Sequence, residues 1–254
     1  MPDSYICEIT DRKELAGMTY AITVKNSSLA SEICAGQFLH IRCGEARLLR
    51  RPFGVCSVRN GSLRFVFEVK GEGTRWLSER EPGAILDILG PLGNGFRIPD
   101  GNIAVIGGGL GTPPMLFAAE SARGKVTAVL GFRDMSRVIL ADEFKSVCDE
   151  VYLTTDDGSA GICGTVAIPL EELLAKGGFD AALSCGQFAM QRAVAHICGQ
   201  YGVPCQVSLE ERLGCGVGAC LVCACETHED GKRNMRRVCK DGPVFEAEKV
   251  VWQI

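Results

Sequence analysis

The sequence predicts an α+β protein of three parts. These are an antiparallel β-barrel over 1–98, a parallel-sheet α/β domain over 99–206 and a small cysteine-rich segment over 207–254. Three observations carry this. The first hundred residues hold short alternating runs broken by turn residues, the pattern of a barrel. Beyond Pro99-Asp100-Gly101-Asn102, short apolar runs alternate with helical stretches, which argues for a parallel sheet. From about Val207 the chain becomes cysteine-dense and loop-like.

In the first part, Tyr20-Ala21-Ile22-Thr23-Val24, Phe38-Leu39-His40-Ile41 and 63–69 alternate as half-buried strands do. The segment 83–96 holds one more strand and a turn-rich close, Gly90-Pro91-Leu92-Gly93-Asn94-Gly95. In the second part, Ile103-Ala104-Val105-Ile106, Val126-Thr127-Ala128-Val129-Leu130, Val151-Tyr152-Leu153 and Ala181-Ala182-Leu183-Ser184 read as buried strands. Helical patterns run from Pro113 to about Ser121, near 170–175 and over 188–198.

The 254 residues are ample for a buried core, and 46% apolar with 23% charged residues excludes disorder. Twenty-seven basic against 31 acidic residues give a net charge of −4, the wrong bias for a non-specific nucleic-acid binder. Met1-Pro2-Asp3-Ser4-Tyr5 shows neither the basic nor the apolar run of a secretory signal. The uncharged stretch 101–119 approaches membrane-spanning length. Its glycines and Pro113-Pro114 make it a strand, a loop and a helix start instead. The expected setting is a reducing cytoplasm with no membrane and no nucleic-acid partner. There, 14 cysteines point to metal or redox chemistry.

Cys215, Cys220, Cys223 and Cys239 follow C-x4-C-x2-C with a later fourth cysteine, the plant-type [2Fe–2S] spacing. A loop wrapped round an inorganic core must turn its amides toward the sulfurs, and Gly216 and Gly218 permit that backbone. A structural zinc site or free thiols are the alternatives, although zinc favours paired C-x2-C motifs. Cys225 is a spare thiol beside a complete set. The loop 107–113, Gly107-Gly108-Gly109-Leu110-Gly111-Thr112-Pro113, follows a strand and opens a helix, a geometry suited to phosphate. A tight turn without a ligand is the plainer account. Arg50-Arg51-Pro52-Phe53-Gly54 offers a guanidinium for a pyrophosphate and an aromatic ring, or merely surface charge and core.

Together these motifs resemble the ferredoxin reductase-like flavoprotein superfamily, in which an FAD-binding barrel precedes a nucleotide-binding α/β domain. Arg51-Pro52-Phe53-Gly54 is similar to its Arg-x-Tyr/Phe-Ser flavin motif, 107–113 to its nucleotide loop, and Cys185-Gly186-Gln187 to its late Cys-Gly-Pro motif near the nicotinamide. Gly54 stands for the usual serine and Gln187 for the usual proline. Within the superfamily, the closing segment Ser208-Leu209-Glu210-Glu211-Arg212…Cys215-Gly216-Val217-Gly218-Ala219-Cys220…Val238-Cys239-Lys240-Asp241-Gly242-Pro243 resembles the electron-transfer subunits of NAD-dependent dihydroorotate dehydrogenase B. The segments 90–96 and 155–159 are similar to that family too.

The resemblance implies three cofactors, FAD, a [2Fe–2S] cluster and NAD. FAD would be held by Arg51, Pro52, Phe53, Gly54, Val66, Phe67, Glu68, Gly73 and Thr74. Of these, Arg51 and Thr74 would meet the pyrophosphate and Phe53 the flavin. Gly107, Gly108, Gly109, Gly111, Thr112, Cys185 and Gly186 would hold NAD, and the four cysteines the cluster. No catalytic side chain is expected in this chain, and His40, His196 and His228 show no nucleophile–base arrangement. An FMN-containing catalytic partner subunit, in a heterotetramer of two of each, would oxidise dihydroorotate to orotate for pyrimidine biosynthesis. Electrons would pass from partner FMN through cluster and FAD to NAD+. A related reductase subunit serving ferredoxin or a hydrogenase shares the domain order, and Arg133 and Arg137 meeting a 2′-phosphate would favour NADP. A non-enzymatic redox sensor would need neither the flavin nor the nucleotide motif.

Overall fold

The computed structural model describes residues 3–44 and 48–252. The barrel is formed by six strands: β1 (Asp3–Ala16), β2 (Thr19–Lys25), β3 (Phe38–Ile41), β4 (Arg51–Arg59), β5 (Ser62–Glu68) and β6 (Ile85–Leu92). They close in the order β1-β2-β5-β4-β3-β6. β1 pairs with β6 over its first half and with β2 over its second, with a register shift between Ile9 and Asp11 where it bends. Inward side chains such as Ile9, Ile22, Leu39, Ile41, Leu63, Phe65 and Ile88 are fully buried. Two short helices, α1 (Ser27–Glu32) and α2 (Glu72–Ser78), lie in the connections, and the Asn26 side chain caps α1 by accepting the Leu29 amide.

Apolar runs bounded by glycine give the second sheet. Its strands are β7 (Ile103–Gly108), β8 (Val126–Phe132), β9 (Glu150–Thr155), β10 (Ile162–Cys163), β11 (Ala181–Cys185) and β12 (Cys205–Ser208). The helices α3 (Thr112–Ser121), α4 (Ala141–Val147), α5 (Ala167–Lys176) and α6 (Phe188–Gln200) cover its faces. Among the described residues no helix is long and apolar enough to cross a membrane.

The cysteine-rich end, expected as loop, carries a hairpin of β13 (Ala224–Glu229) and β14 (Lys232–Arg237), turned at Asp230-Gly231 with both residues at positive φ. It then returns a strand, β15 (Val244–Glu246), which pairs antiparallel with β12 at the sheet edge in the order β10-β9-β8-β7-β11-β12-β15. The limit between 206 and 207 therefore falls inside β12. One core runs from the barrel through α3 onto one face of the sheet. A second joins the other face, α5 and α6 to Leu209, Cys223, Val238 and Cys239.

Candidate cofactor sites

In the sheet, β7 has β8 on one side and β11 on the other, so the chain's winding reverses between β7 and β11. Ligands of open α/β sheets bind in the crevice at such a switch point, beyond the strands' carboxyl ends. Gly107 pairs in register with Cys185, so the two loops named from sequence lie side by side at that point. They touch: a Cβ on Gly111 would run into the Cys185 carbonyl and stand 2.5 Å from the Gly186 amide nitrogen. The Met190 thioether lies across Gly108 and Gly186. Thr112 is fully buried beside Gly107, with its hydroxyl unpaired.

The flavin motif lies where two barrel strands part. Positions 51–54 of β4 pair only with β3, and the β4–β5 ladder ends at Val55 opposite Phe65. Beyond it, Val66, Phe67 and Glu68 pair only with β2. The two sequence segments assigned to FAD thus edge one gap in the barrel wall, with backbone facing it from both sides. Arg51 rests on Gly73, where a Cβ would lie 3.2 Å from Nε.

Three side chains make contacts beyond those expected. Phe53 is buried, its ring 5.4 Å from Phe65 and 5.5 Å from Phe67, so it also packs the barrel. The Thr74 hydroxyl accepts from the Lys70 and Gly71 amides at 2.9 and 3.1 Å. It serves the turn before α2, while the Arg51 guanidinium donates to the Leu49 and Arg50 carbonyls at 2.7 and 3.2 Å. Glu68 is held by Arg137 at 2.7 Å and Lys70 at 3.3 Å. Arg137 is therefore engaged, while Arg133 is exposed.

The cysteine loop is a cradle of amides. Val217, Ala219 and Cys220 donate N–H to Cys215 Sγ at 3.4, 3.2 and 3.4 Å. Cys215 donates to Cys220 Sγ at 3.4 Å, Gly218 to Cys239 Sγ at 3.1 Å and Cys239 to Cys223 Sγ at 3.5 Å. Gly216 and Gly218 sit at φ +73° and +82°, which lets successive amides converge. The thiols form two neighbouring pairs, Cys215 with Cys220 and Cys223 with Cys239. Among the described residues no three acidic, His or Cys side chains converge as a single ion requires.

Two pairs of sulfurs supplied with amide donors fit a cluster of two irons. Burial disfavours the Cys215 thiolate, but the amides and the Cys220 thiol outweigh it and bring its pKa to about 6. Burial and the Cys223 thiol push Cys239 up to about 12, so metal binding there must release a proton.

Sequence reasoning passed over His40. The residue is 1% exposed, neither ring nitrogen has a hydrogen-bond partner of full geometry, and the cluster loop lies on it at Gly216. Burial, helped by the Arg50 and Arg51 charges, outweighs the nearby Arg50 and Cys215 carbonyls and holds it neutral, with a pKa of about 4. A polar residue inside an otherwise apolar strand was the only signal in the sequence. Glu210 was quoted within a motif without a role. It is exposed just beyond the end of β12, near Cys185.

The model for the iron-sulfur cluster binding domain of dihydroorotate dehydrogenase B matches residues 210–251. An electron transfer subunit of dihydroorotate dehydrogenase B (NAD(+)) from Caldanaerobacter subterraneus subsp. tengcongensis is 41% identical over 219 residues, covering 85% of this chain and 87% of that protein. Its counterpart from Desulforamulus reducens is 37% identical over 248 residues, covering 94% and 95%. Among solved structures, a chain of the NADH-dependent reduced ferredoxin-NADP oxidoreductase superposes with a TM-score of 0.87 at 32% identity, over 99% of this chain and 92% of that one. A ferredoxin NADP+ reductase from Neisseria gonorrhoeae with bound FAD and NADP shares the fold, with a TM-score of 0.65 at 17% identity over 78% and 92%.

Proposed function

The chain belongs to the family of electron transfer subunits of dihydroorotate dehydrogenase B, and from that premise we propose that it relays electrons between NAD+ and an FMN-bearing partner subunit that oxidises dihydroorotate. The observation that supports the reading is that the nucleotide loop touches the flavin motif and the cluster loop touches the strand beside it. Pro114, after the nucleotide loop, packs on Gly54 of the flavin motif, and Gly216 of the cluster loop packs on His40, in register with Pro52 of that motif. When bound, FAD and a [2Fe–2S] cluster supply the redox chemistry, hydride exchange with nicotinamide and single-electron exchange with the partner.

The chain's own residues bind and orient. The crevice of Gly107, Gly108, Gly109, Gly111, Thr112, Cys185 and Gly186 takes the dinucleotide. The gap between positions 51–54 and 66–68, with Arg51 over Gly73, takes FAD. Cys215, Cys220, Cys223 and Cys239 hold the irons. Val217, Leu221 and Val222 are exposed beside Cys220, an apolar rim suited to a protein partner. On this reading 1–98 is the flavin barrel, 99–206 the dinucleotide domain and 207–254 the cluster segment. The complex is a heterotetramer of two subunits of each kind. On this reading 14 cysteines, four of them cluster ligands, suit a reducing cytoplasm.

The likeness to the reduced ferredoxin-NADP oxidoreductase favours a second reading, a reductase subunit serving ferredoxin. Affinity purification from the native cell separates the two. An FMN-containing partner and dihydroorotate-dependent NAD+ reduction support the first. A complex that reduces ferredoxin from NADH and ignores dihydroorotate overturns it.

A further inference from the structure

His40 leaves both ring nitrogens unpaired in a fully enclosed position. A buried polar group without a partner is costly, and native structures seldom leave one so. β3 fixes the ring between β4 and β6, opposite Pro52 and Leu89. The ring faces the cluster loop: a Cβ on Gly216 would stand 2.6 Å from Nδ1 and 3.2 Å from Cε1. Gly216 directly follows Cys215, whose sulfur already gathers three amides. The backbone carbonyls of Arg50 and Cys215 lie close enough to the ring to act on it as weak acceptors, without the geometry of a full hydrogen bond. The barrel thus aims a neutral donor at the inside of the sulfur loop, and glycine keeps the approach open.

We propose that His40 is a residue of the cluster site, a positioning residue from the flavin barrel whose Nδ1–H donates a hydrogen bond into the sulfur shell held by Cys215 and its neighbours. The inference rests on the reading of the four cysteines as cluster ligands. A donor to the sulfurs stabilises the reduced, more negative state and so raises the reduction potential. It also ties the loop to the strand next to the flavin motif, fixing the separation of the two sites.

The test uses the complex with its native cofactors, labelled with 15N only in histidine and reduced with dithionite. Pulsed electron paramagnetic resonance should show a 15N coupling to the reduced cluster. The coupling should persist in the His196→Gln/His228→Gln double variant, both sites being exposed, and vanish in His40→Asn. His40→Leu should shift the one-electron reduction equilibrium about tenfold toward the oxidised state, about 59 mV more negative. His40→Asn, which keeps a donor, should recover part of that shift. A wild-type cluster signal without histidine coupling overturns the proposal, and so does an unshifted potential in His40→Leu. The wild-type spectrum decides even if the leucine variant fails to fold. Absence of iron and of any cluster signal in the wild type overturns the cluster reading itself.

Discussion

Gly54 on β4 and Pro114 on α3 meet so closely that a Cβ on Gly54 would stand 2.7 Å from the proline ring carbon Cγ. Barrel and sheet join at a position with room for a hydrogen alone. The related flavin motif carries serine here, so this chain's glycine and the seating of its proline belong together. Gly54→Ser must push a stiff ring aside, at about 1–3 kcal/mol. A lower thermal midpoint and faster loss of flavin on desalting are expected. A variant as stable and as flavin-rich as the parent would refute the packing account.

Gly111 opposes backbone, not side chain. With the Cys185 carbonyl and Gly186 amide in its way, a methyl group has nothing flexible to displace. Gly111→Ala should open the two loops at the switch point and destabilise by about 3 kcal/mol. The KM for NADH should rise at least tenfold, roughly 1.4 kcal/mol of lost binding. Stopped-flow reduction of the flavin by NADH reads this, and an unchanged KM would remove the loop contact from the dinucleotide site.

Much of this was legible in the sequence. The glycine loop, the Arg51 motif and the four cysteines are local patterns, of the kind a backbone needs near a phosphate or a sulfur. What escaped notice depends on partners far along the chain. β1 is rich in charge and buries only Cys7 and Ile9, because it bends from one neighbour to another, so its alternation is broken. The packing of the Phe53 ring on Phe65 and Phe67 is set by register, which no local pattern shows. His40 gained meaning only when β3 and the cluster loop, about 175 positions apart, came together. β15 is three residues long, and its pairing with β12 is decided by the sheet edge.

Acid should loosen the barrel through Asp87. Arg50 grips both its carboxylate oxygens at 2.8 Å, and Ser4 donates to one at 2.9 Å. Burial raises this carboxyl, but the Arg50 fork and Ser4 outweigh it and hold it below its usual 3.8. A carboxyl depressed in the folded state adds stability that is complete above its unfolded value and vanishes as pH falls through the folded one. The pair, about a quarter exposed, should be worth about 1–2 kcal/mol at neutral pH. Urea unfolding at pH 7 should show that deficit in Asp87→Asn, and the gap should close below about pH 4. A gap that stayed constant with pH would mean that charge plays no part.

Cys223 and Cys225 lie two positions apart and should behave oppositely. Cys223 is buried, pairs with Cys239 and accepts its amide at 3.5 Å. Cys225 stands on β13 opposite Arg236, and among the described residues no other residue's amide points at its sulfur. A ligand sulfur needs those donors because they offset the negative charge that four thiolates bring together. Cys223→Ser should lose the cluster, read as iron and sulfide per flavin and as the reduced-state paramagnetic signal. Cys225→Ser should keep full iron and the parent spectrum. If instead Cys225→Ser emptied the site and Cys223→Ser did not, the third ligand would be Cys225, and the loop would have to close two residues further along than its amides now indicate.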